Sequence, residues 1–545
     1  MNQEKSVCYL TNAFFVFFQE TFLKFAHFCY LYSKFVTDRT FYKIPKKPSE
    51  PSMSLNTDNI RLVFGLKLKQ LRLDKTMSLT ELAHKSGLSM SYINEIEKGK
   101  KYPKSDKIVA LAEAMGVDYD TLVSLKLNKK LEPISELLHS NFLTELPFEI
   151  FGISPADLLE LLSDAPTKLS AFISTIIEIG RSYNMSVEQF YFAVLRSYQE
   201  MHDNYFPDIE EEVDKFLAEN NISPDQQIDE YYLSNLLTDK YGFTIKYFDE
   251  EDYPDIVNIR SVFLPKTHTL LINKRITSDQ RAFTLGRELG FLFMKIKDRP
   301  YTSSWVEVKS FDQVLNNFKA SYFAGAILIR KEKLIEKLTV MFNQATWSDK
   351  TLIEMTDYFQ ATPETLYHRI SNVLPKYFGI DGMFFLRFES PSGHKEYHLT
   401  KEMHLAKKHN PHETQKEHYC RRWISLNILD EVSNLQQNRK YKAPLVRVQI
   451  SNYVDADQYF VMSMARPLNI ISHLNISVTM GFELNDNLRS KFKFLADPQV
   501  QAREVNQTCE RCRLFDCKER VAAPVILQKK RQVENMKAAL KTMGA

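Results

Sequence analysis

Three cysteines crowd one short segment near the carboxy terminus, Cys509-Glu510-Arg511-Cys512-Arg513-Leu514-Phe515-Asp516-Cys517. Two thiolates separated by two residues can chelate one soft metal through a tight turn, and the third lies within reach of the same ion. A tetrahedral site needs a fourth donor. Cys420, in His418-Tyr419-Cys420-Arg421-Arg422-Trp423, is the one remaining cysteine outside an aromatic leader, so it is the expected fourth ligand. His404, His409, His412 and His418 stand in reserve. The expected ion is a structural Zn²⁺, while an Fe–S cluster and free or redox-sensing thiols are the other readings of this spacing. Arg511, Arg513 and Arg520 would suit thiolates or an anionic ligand, or simply line a solvated loop.

A second set of side chains carries hydrogen-bonding chemistry, in Ser78-Leu79-Thr80-Glu81-Leu82-Ala83-His84-Lys85-Ser86-Gly87-Leu88-Ser89-Met90-Ser91-Tyr92-Ile93-Asn94-Glu95-Ile96-Glu97. Ser78 with Glu81 reads as a capping box, Gly87 as a positive-φ turn, and Ala83 as a close approach between two helices. Leu82, Leu88, Ile93 and Ile96 fall where crossed helices bury a shared side. Ser89 is placed to cap the second helix, which then turns Ser91, Tyr92 and Asn94 away from Ile93 and Ile96 and toward a major groove. Lys98, Lys100 and Lys101 follow, placed for phosphates. Residues 59–104 hold ten basic and four acidic side chains, a local excess of six in a chain whose net charge is only +3. Basic charge is thus concentrated where a DNA backbone would lie. The plain alternative is a helical hairpin that merely packs. This stretch closely resembles the lambda-repressor-like, or XRE, family, although Leu79 stands where that family often places a DNA-touching glutamine.

The elements that must position these groups divide the chain. At 545 residues with 44% hydrophobic content there is room for three or four domains. Six cysteines in so long a chain imply no disulfide scaffold, hence a reducing, cytoplasmic setting. Residues 1–58 are read as an extension whose Phe14–Phe28 aromatics are interrupted by Gln19, Glu20, Lys24 and His27, which opposes a membrane span. The favoured reading places the natural start at Met53. Residues 59–128 form the helix-turn-helix domain and 129–223 a helical connector suited to a dimer contact.

From 224 to 345 the order is helix, strand-like Phe243–Phe248, strand-like His268–Asn273, then Ser278-Asp279-Gln280-Arg281-Ala282-Phe283-Thr284-Leu285-Gly286-Arg287-Glu288-Leu289-Gly290-Phe291. This order resembles the ImmA/IrrE peptidase-like family, in which the helix carries a His-Glu-x-x-His zinc motif. Arg287 and Phe291 occupy the two histidine positions, and neither offers zinc a lone pair. Asn317, Phe318 and Lys319 stand near the place of the third ligand. A scaffold without peptidase chemistry is expected, reusable for holding a small molecule.

Residues 346–376 read as a helical linker and 377–545 as a mainly β sensor domain, with strand-like segments at 382–388, 443–450, 458–465 and 476–482. The domain order, the C-x₂-C-x₄-C-x₂-R cluster with Pro524 beyond it, and Cys420-x-x-Trp423, Ala465-Arg466 and Gly481 together resemble the short-chain fatty acyl transcriptional regulator family. Phe482 stands where a further family cysteine would fall. The resemblance implies control of short-chain acyl metabolism with an acyl-CoA effector.

The chain is therefore read as a multidomain protein: an all-α helix-turn-helix domain, a helical connector, an α+β peptidase-like domain and a mainly-β/α+β carboxy-terminal domain. Its expected partners are double-stranded DNA, a second copy of itself and a small acyl metabolite, with no membrane and no catalysis. The rival readings are a phage-type repressor or antitoxin binding a protein partner, and a metallopeptidase, which the lost histidines oppose.

Overall fold

Local signals in residues 57–124 specify five helices: α1 (Thr57–Asp74), α2 (Leu79–Ser86), α3 (Met90–Glu97), α4 (Ser105–Met115) and α5 (Tyr119–Val123). In this computed structural model the described residues are 57–124 and 186–543, apart from 224, 304–307, 406–416, 442–443, 454–456 and 472. The reading of Met53 as the start and the leucine- and isoleucine-rich runs at 158–177 lie outside them.

Ser78 and Glu81 close a reciprocal capping box at α2, Gly87 ends it at φ 66°, and Gly116 ends α4 at φ 58°. Phe64, Leu68, Leu82, Ile93, Ile96, Ile108 and Leu111 make the core of this unit. Gly65 lets α1 touch the end of α3. A Cβ there would lie 2.2 Å from the Ile96 carbonyl oxygen, so a larger residue would drive the helices apart. Across the same contact the buried Arg72 donates from Nε to Glu97 Oε1 at 2.7 Å and from Nη2 to Oε2 at 2.9 Å.

The described residues from 186 onward form a second compact unit. Its first helices, α6 (Val187–Met201) and α7 (Pro207–Glu219), belong to the stretch that the sequence assigns to a connector. They pack inside the unit, with Phe206 edge-on to Phe318 at 5.1 Å and Phe216 edge-on to Phe323 at 5.4 Å. After α8 (Glu230–Asn235) comes a three-stranded sheet of β1 (Thr244–Phe248), β2 (Ser261–Leu264) and β3 (Thr269–Asn273) in the order β1-β3-β2. β1 runs parallel to β3 and β2 antiparallel to it. β3 is buried along its whole length and leads into α9 (Ser278–Phe293), which packs on α10 (Phe311–Leu328). Gly286 and Gly290 permit the approach, since a Cβ at Gly290 would stand 3.1 Å from the Ala320 carbonyl oxygen.

Helices α11 (Lys331–Asn343), α12 (Asp349–Phe359) and α13 (Pro363–Val373) follow, and their apolar faces join the core of the second unit. The segment read as a linker is thus interior. The six-stranded sheet comprises β4 (Met383–Pro391), β5 (His398–His404), β6 (Leu445–Tyr453), β7 (Gln458–Pro467), β8 (Leu474–Glu483) and β9 (Ala502–Val505), in the order β5-β4-β8-β7-β6-β9. Only the β6–β9 pairing is parallel. α14 (Ile424–Gln437) covers one face of this sheet and a short α15 (Asp486–Lys491) follows β8, so the region is α+β rather than β alone. One apolar cluster runs from Tyr191 through Leu285 and Ile370 to Phe460 and Val500, joining the three-stranded part to the six-stranded sheet.

Candidate functional site

The structure places the helix-turn-helix residues on two kinds of surface. Ser91 and Asn94 are exposed on α3, while Ile93 and Ile96 are fully buried on its other side. Ser89 acts as the helix cap, its hydroxyl accepting from the Tyr92 N–H at 3.2 Å. Tyr92 corrects the expectation of an outward side chain: it is half-buried against the core, with Lys101 Nζ 5.8 Å from its ring centre. Lys98 is half-exposed; Lys100 and Lys101 are exposed. Lys101 already holds Glu95 at 2.8 Å, and that hydrogen bond keeps its ammonium above the usual range. Charge arrayed on this surface is therefore uneven, with Lys101 partly compensated.

In the second unit, α9 carries Arg287, Glu288 and Phe291 into the interior. Glu288 is 1% exposed and accepts a hydrogen bond from the guanidinium of Arg299, a residue absent from the sequence-based candidates. Arg299 lies between two aromatic faces, 4.4 Å from the Phe263 ring centre and 4.2 Å from that of Phe291. A guanidinium thus faces the glutamate where a zincin would hold its metal, and Phe291 serves as a stacking surface. Arg287, 6% exposed, reaches Asn317 Oδ1 and Glu288 Oε1 only at 3.5 Å. Burial lowers its pKa; Glu288 opposes that shift, and nearby Arg299 and Arg260 add to it. Two buried arginines, Arg287 and Arg299, meet this one carboxylate, and Arg260 adds a further positive charge near Arg287. Without an imidazole, and with cations beside its only carboxylate, this donor set does not fit zinc.

The same charge excess continues toward the six-stranded sheet. Arg466 on β7 also has its pKa lowered, first by burial, with Arg260 adding to the shift and Asp279 and Glu364 opposing it. Its Nε has no hydrogen-bond partner, nor do those of Arg287 and Arg299. No periodic pattern marks Arg260 or Arg299, since each lies in a loop and only tertiary packing reveals its place.

At the carboxy-terminal cluster, Cys420, Cys509 and Cys512 are buried and Cys517 is half-buried, all four as free thiols. An antiparallel bridge between Tyr419 and Thr508 brings the two remote segments together. Burial, opposed by backbone hydrogen bonds from Asn506 and Arg422 and reinforced by the neighbouring Cys512 and Cys509, raises the Cys420 thiol to about 11. The Leu514 N–H likewise points at the Cys512 sulfur, at 3.4 Å. Arg520 organises the loop by donating to the carbonyl oxygens of Cys509 at 2.7 Å, Cys512 at 3.1 Å and Leu514 at 2.7 Å. Buried thiols with N–H groups aimed at sulfur are the donor chemistry of a thiophilic metal. Among the described residues, however, no three His, Cys, Asp or Glu side chains form a ready ligand cage. His418, one reserve ligand, has its Nδ1 2.7 Å from Glu510 Oε1.

No helix among the described residues is long and apolar enough to cross a membrane. Residues 68–122 match the model of the helix-turn-helix family, and residues 244–371 match that of the IrrE N-terminal-like domain. Over 62 residues the chain is 44% identical to the control protein C.BamHI of Bacillus amyloliquefaciens, covering 11% of this chain and 76% of that protein. It is 21% identical over 323 residues to the propionyl-CoA carboxylase regulator of Cereibacter sphaeroides, covering 57% of this chain and 65% of that one. With the HTH-type transcriptional regulator RamB of Mycobacterium tuberculosis the identity is 20% over 486 residues, 84% of this chain and 93% of its relative. The chain therefore belongs to the helix-turn-helix DNA-binding transcriptional regulators, in the group that joins this reader to an IrrE-like domain, as the short-chain fatty acyl regulators do.

Proposed function

We propose that this regulator reads its DNA as a homodimer and responds to a short-chain acyl-CoA held in the second unit, without peptidase activity. The observation that carries the effector reading is the surplus of buried arginine around Glu288, with Arg287 held only by contacts of 3.5 Å. Uncompensated buried charge is costly, so an anionic ligand here would stabilise the folded state. The phosphates of an acyl-CoA supply that charge. The name of one relative, a propionyl-CoA carboxylase regulator, supports the metabolic reading.

Ligand binding to the folded state adds about 2.7 kcal/mol when the ligand is at a hundred times its Kd. Propionyl-CoA should therefore raise the unfolding temperature of the full chain by several degrees and change its affinity for DNA. Arg287→Leu should lose most of that rise. An equal rise in the variant would remove Arg287 from the site, and no response of wild type to any acyl-CoA would reject the effector class.

On the reader, Asn94 and Ser91 are assigned to base edges. Asn94→Ala is expected to cost about 1 to 3 kcal/mol on the specific site and little on random duplex. Equal loss on both would sink the assignment. Ser89 and Tyr92 set the pose of α3, and Lys98, Lys100 and Lys101 are assigned to phosphates. Lys100→Ala should reduce the slope of log K against log salt by about one unit, and Lys101→Ala by less, because Glu95 already takes part of its charge. Identical slopes in wild type and Lys100→Ala would contradict this.

For the cysteine cluster we assign Cys420, Cys509, Cys512 and Cys517 as ligands of one metal ion, zinc before an iron–sulfur cluster. Elemental analysis of protein purified under reducing, anaerobic conditions should give about one metal per chain, or iron with sulfide for a cluster. Each cysteine-to-serine variant should bind less. Full retention in Cys420→Ser would exclude that residue.

A further inference from the structure

The last helix, α16 (Val525–Thr542), leaves the body of the second unit almost at once. Leu527 is buried and Arg531 sits 5.1 Å from the Phe515 ring centre on the cysteine loop, but every residue from 528 to 543 is exposed. A projecting helix of this length, about 22 Å, is marginal in water without a partner. Beyond Leu527 its large exposed apolar residues are Val533, Met536 and Leu540, followed by Met543 at its carboxy-terminal cap. Their spacing of three, four and three is the a/d seam of a coiled coil, a narrower stripe than a helix packed on a globular body presents.

We propose that this seam pairs with α16 of a second copy in a parallel two-stranded coil. The inference rests on the homodimer reading and adds the surface that joins the copies. The flanking charges select the orientation. In a parallel pair the e-position Lys537 faces the partner's g-position Gln532, with no clash. An antiparallel pair would bring the e-position lysines, Lys530 and Lys537, against each other. α16 carries five basic side chains against the single acidic Glu534, so two copies repel weakly over a distance. The seam is too short to bury the roughly 1,600 Å² of a standard interface. It pairs weakly on its own and becomes a firm clamp once two readers share one DNA site and the second contact is intramolecular. Arg520 and the cysteine loop hold the base of α16, so they set the direction in which the clamp projects.

The test is sedimentation of the full chain at micromolar concentration, at low and high salt. Wild type should self-associate, more tightly as salt screens the lysines. Leu540→Glu should weaken association at least tenfold, and Lys529→Leu, which extends the seam by one d position, should strengthen it. A dimer unaffected by either substitution would overturn the seam as the interface while leaving the homodimer reading intact. A chain monomeric in all three forms, free and on DNA, would overturn both. Self-association weakened by salt would overturn the proposal in favour of an acidic surface as the occupant of α16.

Discussion

Glu97→Ala is expected to unfold the reader while leaving the second unit standing. Arg72 is buried and directs two of its nitrogens to that carboxylate, so removing it strands a guanidinium between α1 and α3. Losing one partner of such a pair costs about 3 to 5 kcal/mol, much of what a unit of this size has to lose. Arg72 keeps one bond to the Met77 carbonyl oxygen, at 2.9 Å, which does not replace the charge. Hydrogen exchange on the full chain should show the amides of α1 to α4 exchanging at least a hundredfold faster, with those of β4, β7 and β8 unchanged. Protection of α3 within tenfold of wild type would refute the role given to this pair.

The second large effect is expected at Arg369, 1% exposed, on α13. Its Nη2 donates to Glu210 Oε2 at 3.1 Å and its Nε to the Ile329 carbonyl oxygen at 3.0 Å, while Tyr322 donates to Glu210 Oε1 at 2.8 Å. Three segments, α7, α10 and α13, meet at this carboxylate. Arg369→Ala leaves Glu210 with Tyr322 and a more distant Lys331, and should destabilise the second unit by about 3 to 5 kcal/mol. Urea unfolding followed by tryptophan fluorescence should show the midpoint falling with the slope preserved. Were α7 a detached connector, the variant would unfold near the wild-type midpoint; that result would contradict the interior position of α7.

The reader was legible because its signals are local. A cap, a turn glycine and a 3.6-residue repeat each act within a few residues, and Ser78, Gly87 and Ile93 stand where those rules place them. Tyr92 escaped because nothing local shows that its ring fills space against the core. The major strands of the six-stranded sheet were visible as apolar runs, whereas β5 and β9, short and largely exposed at the two edges, lacked that pattern. α14 was overlooked although Ile424, Ile428, Leu429 and Val432 do carry helical spacing.

The interior of the second unit was hidden for a different reason. Glu210 lies in an acidic run, Glu210-Glu211-Glu212, that reads as solvated surface, and its partner is 159 positions away. The loss of the peptidase motif was plain from Arg287 and Phe291. What replaced it was not, because Arg299 reaches Glu288 only after the chain has turned back over α9. The cysteines show the opposite balance: their spacing suggested a shared site, and the Tyr419–Thr508 bridge explains how segments about ninety residues apart meet.

We propose that residues 57–124 act as a paired, sequence-specific reader of DNA. Selection of a random duplex library with the full chain tests it most directly. The expected product is an inverted repeat whose half-sites lie about 10 base pairs apart, or a multiple of that spacing, centre to centre. Asn94→Ala should degrade the consensus at defined positions within each half. A library that emerges without enrichment, at a salt concentration where the protein still retains duplex DNA, would contradict the claim.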